Sequence, residues 1–332
     1  MTPGDNANRV TRRHLLALAG GAAVALRTAV ADAKAAHIGF ISGGDEQGAA
    51  PFLAALRDGL AAEGYREPDT LQLDPLYADY SLDRVPALVG ELERRGVAII
   101  VTHAAATPIV VTEQHTVPVV YEFSADPVAT GIATDLAHPL LNATGVSLMR
   151  AELNGKRLDF LHEIVPDLRR VAVIANPLHP GEERERSELA GPAEGLGIHT
   201  SFFPTPNVAE LHRALDAIGA NPPQALLAFS DGFIVENRGI ILDFAMSRRV
   251  PVASGWAVMA ESGALLTYGP RLVESYRRSS YFVARILNGA KAEELPIEQP
   301  TVIELVINLQ SAKKLDLNIP PALLARADQV IE

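Results

Sequence analysis

The sequence predicts an α/β protein built of two doubly wound, Rossmann-like lobes with a three-crossing hinge. Three observations carry this. Runs rich in β-branched residues alternate with helix-length amphipathic segments, the pattern of parallel sheets covered by helices. The alternation pauses at an extended Thr144-Gly145-Val146-Ser147 and then begins again. After an N-terminal leader about 300 residues remain, more than one hydrophobic core usually fills.

The elements follow in order. Strands over 37–41, 71–76, 97–102 and 117–121 alternate with helices over 51–63, 82–95 and 107–114. Beyond Ser147, helices over 152–165, 184–196, 208–218 and 235–248 interleave with strands over 171–175, 199–203 and 225–229. Pro251-Val252-Ala253-Ser254-Gly255 then looks like a return crossing. Leu265-Leu266-Thr267-Tyr268-Gly269 and a long helix over 272–287 would complete the first lobe. The expected lobes are therefore 34–146 with 256–298, and 147–255 with 299–332. The last 37 residues open with a proline-bounded strand containing Thr301, Val302, Ile303, Val306 and Ile307. Asn308 stands where a helix N-cap belongs, and Pro320-Pro321 stops the helix that follows.

Residues 1–33 read as an export leader. Thr11-Arg12-Arg13-His14-Leu15-Leu16 sets paired arginines ahead of an apolar run from Leu15 to Leu26, too short to span a bilayer. Ala29-Val30-Ala31 and Ala31-Asp32-Ala33 are small-residue cleavage patterns, so the mature chain is expected to start near Asp32 or Lys34. The twin arginine resembles a Tat address, with an ordinary Sec leader as the alternative. Removing the leader takes the formal charge from −11 to −13. So acidic a chain lacks the basic footprint that nucleic acid requires. The sequence has no cysteine, which excludes disulfides, thiolate metal sites and a lipid-modified cysteine anchor.

The C-terminal order of strand, capped helix, double proline and Leu323-Leu324-Ala325-Arg326-Ala327-Asp328 closely resembles that of the tryptophan-type substrate-binding proteins of ABC transporters. Further blocks are similar: Ile38-Gly39-Phe40-Ile41-Ser42-Gly43-Gly44, Ala125-Asp126-Pro127-Val128, Asn142 to Ser147, Gly155-Lys156-Arg157-Leu158 and Tyr268-Gly269-Pro270. The resemblance covers nearly the whole mature chain. It implies a type I periplasmic binding protein that holds an amino acid or related carboxylate, aromatic ones included, between its lobes. It further implies delivery to the permease of an ABC importer, with no chemistry and no cofactor, by a periplasmic monomer. A ligand sensor without a transporter and an exported enzyme are the alternatives. An intracellular LacI-like regulator would need a helix-turn-helix where this chain has its leader.

In open α/β sheets ligands gather at the carboxyl ends of the strands. In the first lobe that places Ser42, Gly43 and Gly44, then His103, Ala104 and Thr107, then Ser124 and Asp126. The Ser42-Gly43-Gly44 loop could cradle a carboxylate or be a plain strand-to-helix turn. In the second lobe Asn176, Ser230, Asp231 and Trp256 occupy equivalent loops, with Tyr268 nearby. Asp231 could accept a ligand ammonium or cap the following helix, and Asp126 faces the same choice. Trp256, Tyr268 and Phe123 are either walls for a planar side chain or core. His103 departs from the small residue of the family pattern.

No Gly-x-Ser-x-Gly elbow, P-loop or Gly-x-Gly-x-x-Gly after a strand supports an enzyme. His179 with Glu182 and Glu183, or His103 with His115 and Glu122, could suggest metal sites, but scattered histidines are more often solvated or core. Glu182-Glu183-Arg184-Glu185-Arg186 reads as a solvated helix face.

Overall fold

The computed structural model describes residues 35–113, 116–148 and 151–332. The leader, its twin arginines and His115 lie outside the described residues. Five parallel strands form the first sheet: β1 (Ala36–Ser42), β2 (Leu71–Tyr77), β3 (Ile99–His103), β4 (Val119–Phe123) and β5 (Ala143–Ser147), in the order β2-β1-β3-β4-β5. Helices α1 (Glu46–Ala62), α2 (Val85–Arg95) and α3 (Thr107–Glu113) connect them. Ile38, Phe40, Ile99, Ile100, Val119 and Val120 are almost wholly buried, because helices cover both faces of the sheet.

The chain then crosses through α4 (Leu153–Ile164) into a second sheet. Its strands are β6 (Arg170–Ala175), β7 (His199–Pro204), β8 (Ala225–Ala228), β9 (Val252–Ser254), β10 (Leu266–Pro270), β11 (Ile303–Asn308) and β12 (Gln329–Ile331). The order is β12-β11-β10-β9-β8-β6-β7, parallel except where β11 runs antiparallel to β10. Helices α5 (Glu182–Gly195), α6 (Val208–Ala220), α7 (Gly232–Glu236), α8 (Arg238–Ser247) and α9 (Ala257–Glu261) complete this unit. After β10 the chain recrosses into α10 (Leu272–Leu287), which packs on α1, where the Ser280 hydroxyl donates to the Leu56 carbonyl at 3.2 Å. The third crossing leads from Glu298, bonded to the edge of β5, into β11. The tail closes with α11 (Leu309–Leu315), α12 (Pro321–Leu324) and β12.

Several sequence expectations shift. Val252 to Ser254 are not a crossing: Leu226 pairs with Val252 and Ala253 with Leu266, making β9 an interior strand of the second sheet. The strand at 266–270 likewise belongs to the second sheet, so the middle crossing falls at Arg271. Three residues of β9 are too few to show a strand period, which hid the element. Helix α1 starts at Glu46 instead of Pro51, because the Asp45 carboxylate caps it by accepting from Gly48 N at 2.8 Å. The helix expected over 235–248 is broken at Asn237, whose side-chain amide donates to the Phe233 carbonyl at 2.8 Å. The Asn308 cap forms as the sequence indicates, accepting from Ser311 N at 2.9 Å.

Gly145 shows how tightly the sheet constrains its residues. With φ +156°, any Cβ there would lie 1.9 Å from the Tyr121 carbonyl oxygen of β4. Only glycine fits this close approach of two strands.

Candidate functional site

A cavity of about 700 Å³ lies between the two sheets and takes its walls from both. The start of α1, the ends of β3 and β4, and Leu148 form one side; α7, α9 and Trp256 form the other, with the start of α10 and the tail at the rim. This is the carboxyl end of the first sheet, where side chains leave the strands beside helix starts.

The polar floor is built by strand register. Ser42 pairs with His103 and His103 with Glu122, so β1, β3 and β4 present these three residues in one row. The Ser42 hydroxyl accepts from Gly44 N at 3.1 Å and lies 3.0 Å from His103 Nε2, while His103 Nδ1 lies 2.8 Å from the Tyr276 hydroxyl of α10. Burial lowers the His103 pKa to about 4, so the ring is neutral at physiological pH. Burial pushes the Glu122 carboxyl well above the ordinary range, opposed by a hydrogen bond from Tyr276. Phe52 stacks on Tyr276 with centroids 4.7 Å apart, and it also meets His103 at 5.4 Å. Trp256 covers the far side and is 7% exposed.

The lining is acidic. Among the described residues of the wall, Glu122, Glu236, Glu261, Glu274, Glu304 and Asp328 stand against Arg238 and Arg271. Arg271 is held by Glu304 at 2.9 Å. Arg238 donates to Ser262 and to the Val235 carbonyl, each at 2.9 Å. Enclosure by both lobes, then Asp231 and Asp45, raise the Glu236 pKa to about 8, although the side chain itself still reaches cleft water.

Below Trp256 lies a second polar layer. Arg157, fully buried, donates through Nε to the Tyr268 carbonyl at 2.8 Å and through a terminal nitrogen to Asn154 Oδ1. Burial lowers its pKa to about 10, which leaves it charged at neutral pH. Asn154 donates to Glu185 at 3.1 Å, and burial raises the Glu185 carboxyl. Gly181 N donates to His179 Nδ1 at 3.3 Å, which assigns the proton to Nε2 and directs it at Ser124 Oγ, 3.0 Å away across the cleft. Asp126 meets Arg184 across the same gap. Glu182 and Glu185 are thus buried, while Glu183, Arg184 and Arg186 of the same run are exposed, so it is a solvated face only in part.

Of the residues singled out from sequence, His103, Ser124 and Trp256 line the cavity. Ser230 lies beside it, with Ser124, Arg157 and Trp256. Ser42 stands behind His103, and its hydroxyl occupies the Gly44 amide that an anion would need. Gly43, Gly44, Thr107, Asp126, Asn176, Asp231 and Tyr268 are not in the wall, and the side chain of Ala104 lies outside the described residues. Asp231 caps α7 through Ile234 N at 3.3 Å and accepts from Asn176 at 3.2 Å. Asp126 accepts from Val128 N at 2.9 Å besides meeting Arg184. Tyr268 packs edge-on against Phe160, and Phe123 against Tyr121, both within the cores. Among the described residues, no group of three or more His, Asp or Glu is placed to hold a metal ion.

Phe52, Glu122, Glu236 and Tyr276 enter the wall without having been read as ligand contacts. One signal was available for Glu122: a lone acid within Val119-Val120-Tyr121-Glu122-Phe123, all fully buried. Tyr276 gave none, because its place depends on α10 folding back across the hinge.

Two α/β lobes, three short crossings and a cavity walled from both sides define a bilobed solute-binding protein of the type I periplasmic fold. The chain belongs to the ABC transporter substrate binding protein family, whose model matches residues 47–331. That family binds its substrates without transforming them. Over 269 residues the chain is 20% identical to the tyrosine-binding protein of Clostridioides difficile (strain R20291), covering 80% of this chain and 75% of that protein. Its fold matches an ABC domain from Streptococcus pneumonia in complex with L-Trp, with TM-score 0.83, 21% identity and coverage of 90% and 100% of the two chains. A conserved domain protein from Vibrio cholerae gives TM-score 0.83 at 24% identity with the same coverage. The ligand-free, open form of a Clostridium difficile substrate-binding protein with adhesive properties gives 0.66 at 17% identity, covering 89% and 99%.

Proposed function

We propose that the mature protein is the periplasmic solute-binding component of an ABC importer. It captures an amino acid, aromatic ones first, between its lobes and presents the closed form to a membrane permease as a monomer. The observation that carries this reading is the cavity walled from both lobes. A ligand touching both sides binds the closed state better than the open one, and only such differential affinity can drive closure. Its size falls within the roughly 300–1,000 Å³ typical of small-molecule sites. Phe52, Tyr276 and Trp256 supply faces for a planar side chain, and relatives that take tyrosine and L-Trp support the ligand class. Export by the twin-arginine route belongs to the same proposal. Among the described residues no helix is long and apolar enough to cross a membrane.

Thermal-shift titration of the mature chain against the amino acids tests the ligand reading, because a ligand that binds only the folded state raises its apparent stability. L-Tryptophan or L-tyrosine should raise the midpoint in a concentration-dependent way. A flat response to both, with a shift for a sugar or an oligopeptide, refutes it. Export from cells lacking the Tat translocase would refute the route.

A further inference from the structure

The cavity floor holds a carboxyl group that the protein answers only in part. Glu122 is 2% exposed and lines the cavity, yet among the described residues its Oε1 has no hydrogen-bond partner. The side chains nearest it are neutral: His103 beside it on β3, and Tyr276 of α10. Val146, its register partner on β5, is apolar. Among the described residues, the other charged groups of the wall offer it no cation. Arg271 at the start of α10 is bound to Glu304, with Glu274 close by, and Arg238 of α8 is bound to Ser262 and the Val235 carbonyl. Glu261 of α9 and Asp328 of the tail add negative charge, and Glu236 of α7, its pKa raised to about 8, supplies no cation either. A buried carboxylate without a counter-charge is costly, so such a group either keeps a proton or takes a cation from outside.

We propose that Glu122 is the seat of the ligand's ammonium group, and that ligand binding expels the proton which Glu122 holds in the empty closed state. This deepens the solute-binding reading and rests on it. The ligand class becomes amine-bearing and aromatic: an ammonium on Glu122, with Phe52 and Tyr276 presenting ring faces at the same end.

The floor is wired for two states. Donor and acceptor capacity assigns the hydrogens. With Glu122 ionised, Gly44 N–H donates to Ser42, Ser42 O–H to His103 Nε2 and His103 Nδ1–H to Tyr276, which frees the Tyr276 O–H to turn to Glu122. The donors then run toward the carboxylate, whose Oε1 they leave without a partner. With Glu122 protonated, the Tyr276 O–H turns to His103 Nδ1 and the bond from His103 to Ser42 reverses. Binding is therefore an exchange: the ligand arrives as R–NH3⁺, the Glu122 O–H bond breaks, the ion pair forms, and the proton passes to solvent.

The test is calorimetric titration of the mature chain with L-tryptophan, L-tyrosine, tryptamine and indole-3-propionate, in buffers of differing protonation enthalpy. The three amines should bind with proton release near neutral pH, their affinity should fall as the pH is lowered, and the deaminated acid should bind far more weakly. E122Q should lose about 100-fold in amine affinity and all proton release. The empty variant should be at least as stable as wild type, since a neutral amide replaces the orphan carboxyl. Indole-3-propionate binding as tightly as tryptophan, or undiminished proton release in E122Q, overturns the seat and leaves the solute-binding reading standing. No binding by any of the four removes the aromatic-ligand reading and the seat together.

Discussion

Ser124 and His179 belong to different lobes, and 3.0 Å separates the serine hydroxyl from His179 Nε2. With the Asp126–Arg184 pair beside it, this contact joins the loop after β4 to the start of α5 across the mouth of the cleft. Both contacts exist only when the lobes meet. They bias the closed state and contribute little to the fold of either lobe.

Arg184→Ala should therefore weaken ligand binding several-fold while leaving the unfolding midpoint nearly unchanged. Arg184 is half exposed, and such pairs contribute about 1 kcal/mol or less. Small-angle scattering of the ligand-free variant should show a larger radius of gyration than wild type. An unchanged radius with an unchanged affinity would remove the clasp.

Trp256 is the sole tryptophan and covers the cavity from the second lobe. Binding of L-tyrosine should change its emission in a saturable way, with the same dissociation constant that calorimetry gives. Trp256→Phe should abolish the optical signal. It should also reduce affinity, because the smaller ring leaves part of the cover missing. A spectrum indifferent to a ligand that calorimetry detects would place the site elsewhere.

His103 sets a pH dependence of stability. Its pKa in the fold, about 4, lies below the ordinary 6.5, so the unfolded chain takes up the proton first as the pH falls. Stability is unaffected above the ordinary value, declines between 6.5 and about 4, and has lost about 3 kcal/mol at the lower end. Glu122, with its raised pKa, contributes in the opposite sense, so the wild-type curve mixes the two. Urea unfolding of wild type and His103→Gln across this window should separate them, the variant losing less on acidification. Parallel curves would show that His103 accepts a proton freely in the fold.

Gly255 joins β9 to Trp256. A Cβ there would lie 1.8 Å from the Ser230 hydroxyl and 2.6 Å from an Arg157 nitrogen. Gly255→Ala must displace a buried guanidinium that cannot leave its partners, and the cost should reach about 3 kcal/mol. The denaturant midpoint should fall accordingly, and Trp256 emission should shift even without ligand. A midpoint within error of wild type would mean that Arg157 moves more easily than its contacts imply.

Much of the fold is legible in local pattern. Asn308 announces its cap, and the alternation from β1 through α8 gives two parallel sheets, because continuous apolar strands and amphipathic helices are local properties. What was not legible depends on pairing at a distance. Val252-Ala253-Ser254 becomes a strand only because Leu226 and Leu266 flank it, and β12 exists only because β11 offers an edge. The site divides the same way. His103, Ser124 and Trp256 follow from the rule that loops at strand ends carry ligands. Phe52 and Tyr276 required knowledge that α1 and α10 lie side by side. The loop glycines read equally as an anion cradle or a plain turn, because sequence shows a conformational freedom but not which hydroxyl already uses the amide.

The middle crossing is a single residue, Arg271, and α10 beyond it packs on α1 and on the first sheet. Phe52, His103, Glu122 and Tyr276 therefore travel as one body when the lobes part, while Glu236 and Trp256 move with the other. With the proposed site, the open receptor would keep an assembled landing platform, and the second lobe would act as a door. Capture and retention are then separable in time: changes to the platform govern how fast solute is taken up from dilute solution, and changes to the door govern how long it stays.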